Sequence, residues 1–268
     1  MSKIPQIIKN LKSGVAKISF YKDGTRISSG SAFLCRKRLI SNNHVFFDPN
    51  AKSLEGTIVS VRFGNMNTRE DDLIKMPYED FMKKLENSSP TEMYDYSIFK
   101  LDEIDSNKYF QFELGDHNDI EEGEQVLIMG YPFDQINLTS HIGYISSIFN
   151  EKDINVIQLD ASVNNGNSGG PLIDLKTYEV VGIISRKQTG LAEQFDELIK
   201  SFDDNINLLS RLKGTLRWGN LDIMDIFSVS QRQMQSIAWN LKRSSNVGIG
   251  FAFSCDKLKK EKFYAQKS

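Results

Sequence analysis

The chain carries only two cysteines and three histidines among 268 residues. So few thiols exclude a disulfide framework and fit a reducing compartment, with Cys35 and Cys255 read as buried structural thiols. No stretch approaches the about 18 consecutive apolar residues of a membrane-spanning helix. The opening Met1-Ser2-Lys3-Ile4-Pro5-Gln6-Ile7-Ile8-Lys9 has neither the apolar core nor the small-residue cleavage site of a secretory leader. A charge surplus is missing too: 33 Lys and Arg stand against 35 Asp and Glu, a net of −2 with the signs interspersed. That balance gives no footing for nucleic acid or an anionic membrane. A cytoplasmic chain with protein partners is expected, without cofactor or metal.

What is present is apolar alternation. With 40% apolar residues the chain can bury a sizeable core. Short runs at Ala16–Phe20, Ile27–Leu34, Thr57–Phe63, Ser97–Leu101, Glu124–Gly130, Ile142–Phe149, Ile154–Asp160 and Val180–Ser185 are separated by turn signals such as Lys22-Asp23-Gly24. This spacing predicts an all-β barrel or sandwich rather than a parallel α/β sheet.

The segment Asn165-Gly166-Asn167-Ser168-Gly169-Gly170-Pro171 frames a serine with glycines. Glycine permits positive φ and close approach, so the Gly166 and Ser168 N–H groups can converge on one oxyanion, with Asn167 between them in the same site. A base and an orienting acid are then needed. His44 follows Leu39-Ile40 at the end of a hairpin in Ser41-Asn42-Asn43-His44-Val45, whereas His117 sits in an acidic loop and His141 beside a strand. Asp95 stands immediately before the alternating strand Tyr96-Ser97-Ile98-Phe99-Lys100-Leu101, while Asp71, Asp72 and Asp102 lie in charged or mid-strand contexts. A nucleophilic pair of Cys35 with His44 is the competing reading, and it lacks a glycine-built oxyanion site.

The segments at 41–45, 95–101, 158–171 and 246–253 together resemble the trypsin-like serine peptidases, and within them the HtrA (Deg) type. The resemblance implies a mainly β fold: two six-stranded antiparallel barrels of the chymotrypsin fold, spanning 1–102 and 103–190 plus 244–268, with a helical insertion at 191–243. It implies His44, Asp95 and Ser168 as the catalytic residues of an intracellular serine endopeptidase. It places Ser162 at the base of the specificity pocket, with Val163, Ile184, Ser185, Arg186 and Lys187 along the substrate. Ser162 in place of an aspartate argues against cleavage after Lys or Arg and for a small or medium apolar residue.

Two departures concern control. Asn167 stands where digestive members carry the aspartate that pairs with a newly cut amino terminus, so no such cleavage is expected. No PDZ module is expected after Phe253, and Ser254 is expected to cap a terminal helix. Residues 191–243 read as two amphipathic helices, with Leu191, Phe195, Leu198, Ile199, Phe202, Ile206 and Leu209 in one and Ile223, Ile226, Phe227, Met234, Ile237, Trp239 and Leu241 in the other. Gly214 and Gly219 mark the turn between them. The insertion serves as a lid or as the seat of an activating protein partner. Residues 65–92 read as charge-rich loop and short helix. A silent scaffold that binds a partner through the insertion is the alternative, and the resemblance implies a role in quality control, bacterial stress or antiviral defence. An esterase is disfavoured, because esterases order the triad Ser, Asp, His around a Gly-x-Ser-x-Gly elbow.

Overall fold

Half-buried alternating strands need antiparallel neighbours on both edges, and these find them in two sheets. The computed structural model describes residues 4–47, 54–64, 73–105, 107–185, 190–244 and 248–265. The first half runs α1 (Ile4–Leu11), β1 (Val15–Lys22), β2 (Thr25–Cys35), β3 (Arg38–Ser41), β4 (Ile58–Phe63), β5 (Leu73–Pro77), α2 (Tyr78–Met82), β6 (Leu85–Ser89) and β7 (Tyr96–Phe99). Its strands form one antiparallel sheet in the order β5-β4-β1-β2-β3-β7-β6.

The second half runs β8 (Gln125–Gly130), β9 (Thr139–Glu151), β10 (Ile154–Asp160), β11 (Pro171–Asp174) and β12 (Val180–Ser185). A hairpin of α3 (Gly190–Arg211), β13 (Arg217–Trp218), β14 (Leu221–Asp222) and α4 (Ile223–Ser244) follows, then β15 (Ile249–Ser254), α5 (Asp256–Lys259) and α6 (Lys262–Ala265). Strands β10-β15-β12-β11-β8-β9 close a six-stranded barrel. The fold is therefore mainly β, with one closed barrel and a partly wrapped sheet.

The first sheet departs from the expected six-stranded barrel: it has seven strands and open ends. Its two terminal strands, β5 and β6, come from the region read as loop. Polar and charged residues there (Lys75, Glu86, Asn87) mask the alternation, as they do on edge strands that must not recruit a second chain. Phe81 of α2 is fully buried and packs its ring against Phe46 and Phe99, at centroid distances of 5.6 and 4.6 Å.

Each half has its own core, Ile18, Phe20, Val59, Val61 and Phe99 in the first and Val126, Ile128, Ile157, Leu172 and Ile184 in the barrel. A third cluster joins Phe33, Ile40 and Ile98 of the sheet to Leu127, Met129 and Ile173 of the barrel, so the two pack back to back. The C-terminal helices strap this join. Tyr96 Oη donates to Glu261 Oε1 at 2.5 Å, and the Arg36 guanidinium lies 3.8 Å over the Tyr264 ring. Ser254 does not cap α5; Cys255 occupies the cap position and the Ser254 hydroxyl donates to Asp256 Oδ2 at 2.6 Å. Asp256 Oδ2 also accepts from Asn155 Nδ2 at 2.9 Å and lies 2.8 Å from His117 Nδ1. Asp116 Oδ1 accepts from the Asn118 N–H at 3.1 Å, and its Oδ2 from Lys259 Nζ at 3.1 Å.

Residues 187–247 form a second compact unit. Phe195, Phe202, Ile206 and Leu209 are half-buried and Ile199 buried along the α3 face turned to α4. Gly214 and Gly219, at φ of 84° and 60°, carry the chain between the helices. The Asp222 side chain accepts from the N–H groups of Gly214 (2.7 Å) and Met224 (3.0 Å) and so holds the start of α4.

Two outcomes follow. Phe81→Ala empties a ring-sized site in the first core, so urea unfolding should show a loss of about 3–5 kcal/mol; an unchanged midpoint would make α2 a surface appendage. Asp116 is held at about 2 by the Asn118 N–H and the Lys259 ammonium, below its ordinary 3.8. Its contribution is full above pH 3.8 and lost as pH falls toward 2. The Asp116→Asn melting temperature should fall less steeply than wild type across that window, and parallel curves would count against the strap.

Candidate active site

The site is assembled where the loop after β10 meets the ends of β2 and β3. Glycines permit that meeting. A Cβ on Gly169 would lie 2.1 Å from Ser31 O and 2.2 Å from Ser41 Oγ, and one on Gly170 would lie 2.3 Å from Met129 O. The loop is pinned across the two sheets by Ser31 N–H to Ser168 O (2.8 Å) and by the Ser31 hydroxyl to Gly166 O (2.6 Å). On the barrel side, Gly169 N–H reaches Ile184 O at 2.8 Å, and Ile184 N–H reaches Gly170 O at 2.9 Å. A point at the Gly30 Cβ position lies 2.8 Å from the Val45 side chain and 3.4 Å from Ser168 O, so Ser168 and the residue after His44 flank the same spot.

Within the loop, Phe133 N–H holds the Asn165 carbonyl at 2.7 Å. A trans peptide points its N–H opposite to its C=O, so the Gly166 N–H is turned away from Phe133. Among the described residues no acceptor takes the N–H of Gly166 or of Ser168. Asn167 differs: its N–H goes to Asn164 O at 3.0 Å, so it adds no donor to the oxyanion site, and its fully buried amide finds no hydrogen-bond partner among the described residues. Gly166 sits at φ 95°, and a Cβ there would be 2.2 Å from Tyr131 O.

Asp95 is 1% exposed and takes a left-handed φ of 46°. Outside glycine that conformation is tolerated best by Asp and Asn. It turns the carboxylate back under the β3 end, where Oδ1 accepts the His44 N–H at 2.9 Å and Oδ2 lies 2.6 Å from His44 Nδ1. With Nδ1–H as the donor, Nε2 is left with its lone pair. Asn42 Nδ2 holds Asp95 O at 2.8 Å, and Ser97 Oγ holds Asn43 Oδ1 at 3.0 Å. Ser185 donates its hydroxyl to Asp95 Oδ2 at 3.0 Å. Sequence reasoning placed Ser185 only along the substrate; no local pattern links residues 95 and 185, whose contact exists only through the packing of barrel on sheet.

The other expected substrate residues divide. Ser162 is exposed, whereas the Val163 and Ile184 side chains lie in the barrel core and do not face the cleft. Strand alternation sends Ile184 inward and leaves its backbone to hold the serine loop. Gly250 of β15 supports this wall, since a Cβ there would be 2.4 Å from Val163 Cγ2. Arg186, Lys187, Asp71 and Asp72 lie outside the described residues, and Asp102 is exposed beside Lys100. Burial pushes the thiols of Cys35 and Cys255 well up, which removes Cys35 as a nucleophile. Asp116, His117 and Asp256 bring three ligand-type atoms within 4.8 Å, but Lys259 and Asn155 already occupy that cluster and a lysine ammonium opposes a cation.

Comparisons with known proteins bear on the family and the fold. A family model described as a trypsin-like peptidase domain matches residues 30–183. A probable periplasmic serine endoprotease, DegP-like, of Rickettsia conorii is 42% identical over 88 residues, 30% of this chain and 17% of that protein. Serine protease HTRA1A of Danio rerio is 27% identical over 233 residues, covering 80% of this chain and 43% of the relative. The chain thus spans less than half the length of these relatives. In fold, the HtrA-type protease AlgW with tripeptide superposes with a TM-score of 0.56 at 21% identity, over 95% of this chain and 60% of that one. A matched segment running from the strand beside the serine loop to the barrel wall behind it, and enclosing His44, Asp95 and Ser168, places this chain in the trypsin-like peptidase family.

Proposed function

We propose that the chain is a serine endopeptidase in which Ser168 is the nucleophile, His44 the general base and then acid, and Asp95 the group that fixes the imidazole. The observation that carries this reading is the short Asp95–His44 pair beside a serine loop with two outward, unclaimed N–H groups. In the forward step His44 Nε2 takes the Ser168 hydroxyl proton as Oγ attacks the peptide carbonyl. The oxygen that gains charge is received by the Gly166 and Ser168 N–H groups. His44 then delivers its proton to the leaving amine, and water repeats the sequence on the acyl-enzyme. Asp95 keeps Nδ1 protonated throughout and stabilises the imidazolium that forms, with Ser185 and the His44 N–H holding the carboxylate in place.

The substrate class is protein, entering along Ser185 with Ser162 nearest the residue before the cut. The buried free thiols support a reducing, cytoplasmic setting. Control is assigned to the helical unit at 187–247, which leaves the chain directly after Ser185: an activating partner or the substrate itself engages it and orders the cleft. Asn167 supports the absence of a zymogen cut, having no carboxylate to receive a new amino terminus.

Fluorophosphonate should label Ser168, and Ser168→Ala or His44→Ala should lower peptidase turnover by about 10⁴-fold to 10⁶-fold. Asp95→Asn should keep the melting transition and lose about 10⁴-fold near neutral pH. Absence of labelling, with and without a protein partner, sinks the enzyme in favour of a binding scaffold. Replacing residues 191–243 by a Gly/Ser linker should leave labelling intact and abolish selective cleavage of the natural target, whereas a deletion with wild-type selectivity would reduce the hairpin to a passive lid.

A further inference from the structure

Helix α4 is amphipathic in an unusual sense: it turns its polar stripe inward. The residues that face α3 are Met224, Ser228, Gln231, Gln235, Ala238 and Lys242, all buried or half-buried. Three of them meet α3 through polar groups: Gln231 Oε1 accepts from Asn205 Nδ2 at 3.2 Å, Gln235 Nε2 donates to Asp203 Oδ1 at 2.6 Å, and Lys242 pairs with Asp196. The apolar stripe of the same helix is left outside. Ile226, Phe227, Met234, Ile237 and Leu241 are each between 51% and 53% exposed.

The spacing of that stripe identifies its natural neighbour. Ile223, Phe227, Ser230, Met234, Ile237 and Leu241 alternate steps of four and three residues, the 3.5-residue repeat that seats one helix along another. Scattered apolar residues or a broad apolar face against a sheet would not keep this period. Charge selects among helical partners. From Ile226 to Leu241 the single charged residue is Arg232, which the helical period places opposite the stripe. A seam with uncharged flanks offers nothing to an acidic or basic partner and meets no repulsion from its own image. At about 90 Å² apiece the five exposed side chains let two copies bury at most roughly 900 Å² in all, just under the about 1,000 Å² of a standing interface and therefore a weak contact.

We propose that the exposed stripe of α4 is a homodimer interface, in which α4 of one copy packs against α4 of a second copy across a two-fold axis. Ser230 is the polar position in the middle of the seam and limits its strength. The proposal goes beyond the peptidase reading and does not depend on it, because its readout is molecular mass.

Sedimentation of the full chain from 1 to 100 µM should show a reversible monomer–dimer equilibrium. Phe227→Lys with Ile237→Lys should abolish the dimer while keeping helical content and melting temperature. Ser230→Leu should tighten it by about 10-fold, the effect of burying one extra apolar group per copy, and Arg232→Ala, on the far side of α4, should leave it unchanged. A wild-type chain that stays monomeric at 100 µM overturns the proposal, and slow amide exchange across residues 226–241 in that monomer would assign the stripe to the chain's own barrel unit. A dimer that survives the double lysine variant also overturns it, by placing the contact elsewhere.

Discussion

A carboxylate held at 1% exposure must have its water replaced by donors, and the arrangement of the whole site answers that demand at Asp95. The donors come from separate parts of the chain: the backbone and ring of His44 after β3, and the hydroxyl of Ser185 at the end of β12. A further side chain, Asn42, holds the backbone carbonyl of the same residue. Each bond adds a tie between elements whose own registers are set by their ladders. The sheet therefore cannot shift against the barrel without exposing an uncompensated buried charge, at a cost of about 1–3 kcal/mol per lost donor. The left-handed backbone at Asp95 is the local strain this network sustains.

The serine loop obeys a steric form of the same constraint. It fits between β2 of the sheet and the end of β8 only because the β-carbon is absent at residues 166, 169 and 170, where the backbone oxygens of Tyr131, Ser31 and Met129 stand within 2.1–2.3 Å of the place a Cβ would take. Ser31 is the counterpart on the sheet. Its N–H, and its hydroxyl acting as both donor and acceptor, engage Ser168, Gly166 and Tyr131. The orientation of the Gly166 and Ser168 N–H groups is thus inherited from β2 and from the Phe133–Asn165 contact.

Local pattern made much of this legible. The barrel strands announce themselves by alternation, the insertion by helical spacing, and the serine loop by glycine density. What stayed hidden has a common cause, contact between residues remote in sequence. Ser185 on Asp95 is a meeting created by barrel-on-sheet packing, and His117 and Asn155 on Asp256 and Glu261 on Tyr96 are created by the return of the C-terminal helices; no local period exists for either. β5 and β6 were obscured differently, because edge strands carry the polar residues that a loop carries. Val163 and Ile184 mark the limit of positional analogy: a residue beside a cleft has two faces, and here both send the side chain to the core.

The order in which the barrel is completed sets a clock on synthesis. β15 lies between β10 and β12, so the seam closes only after the helical hairpin has been made and the chain has returned at Ile249. Ser168 emerges about 80 residues earlier, which at ribosomal speed is roughly 4–16 s. During that interval the barrel that carries Ser168 stands unsealed, without Gly250 behind Val163. A chain in that state has all three residues made but not the packed wall behind the serine loop, so the site described above takes shape only once the chain beyond the helical hairpin has been made.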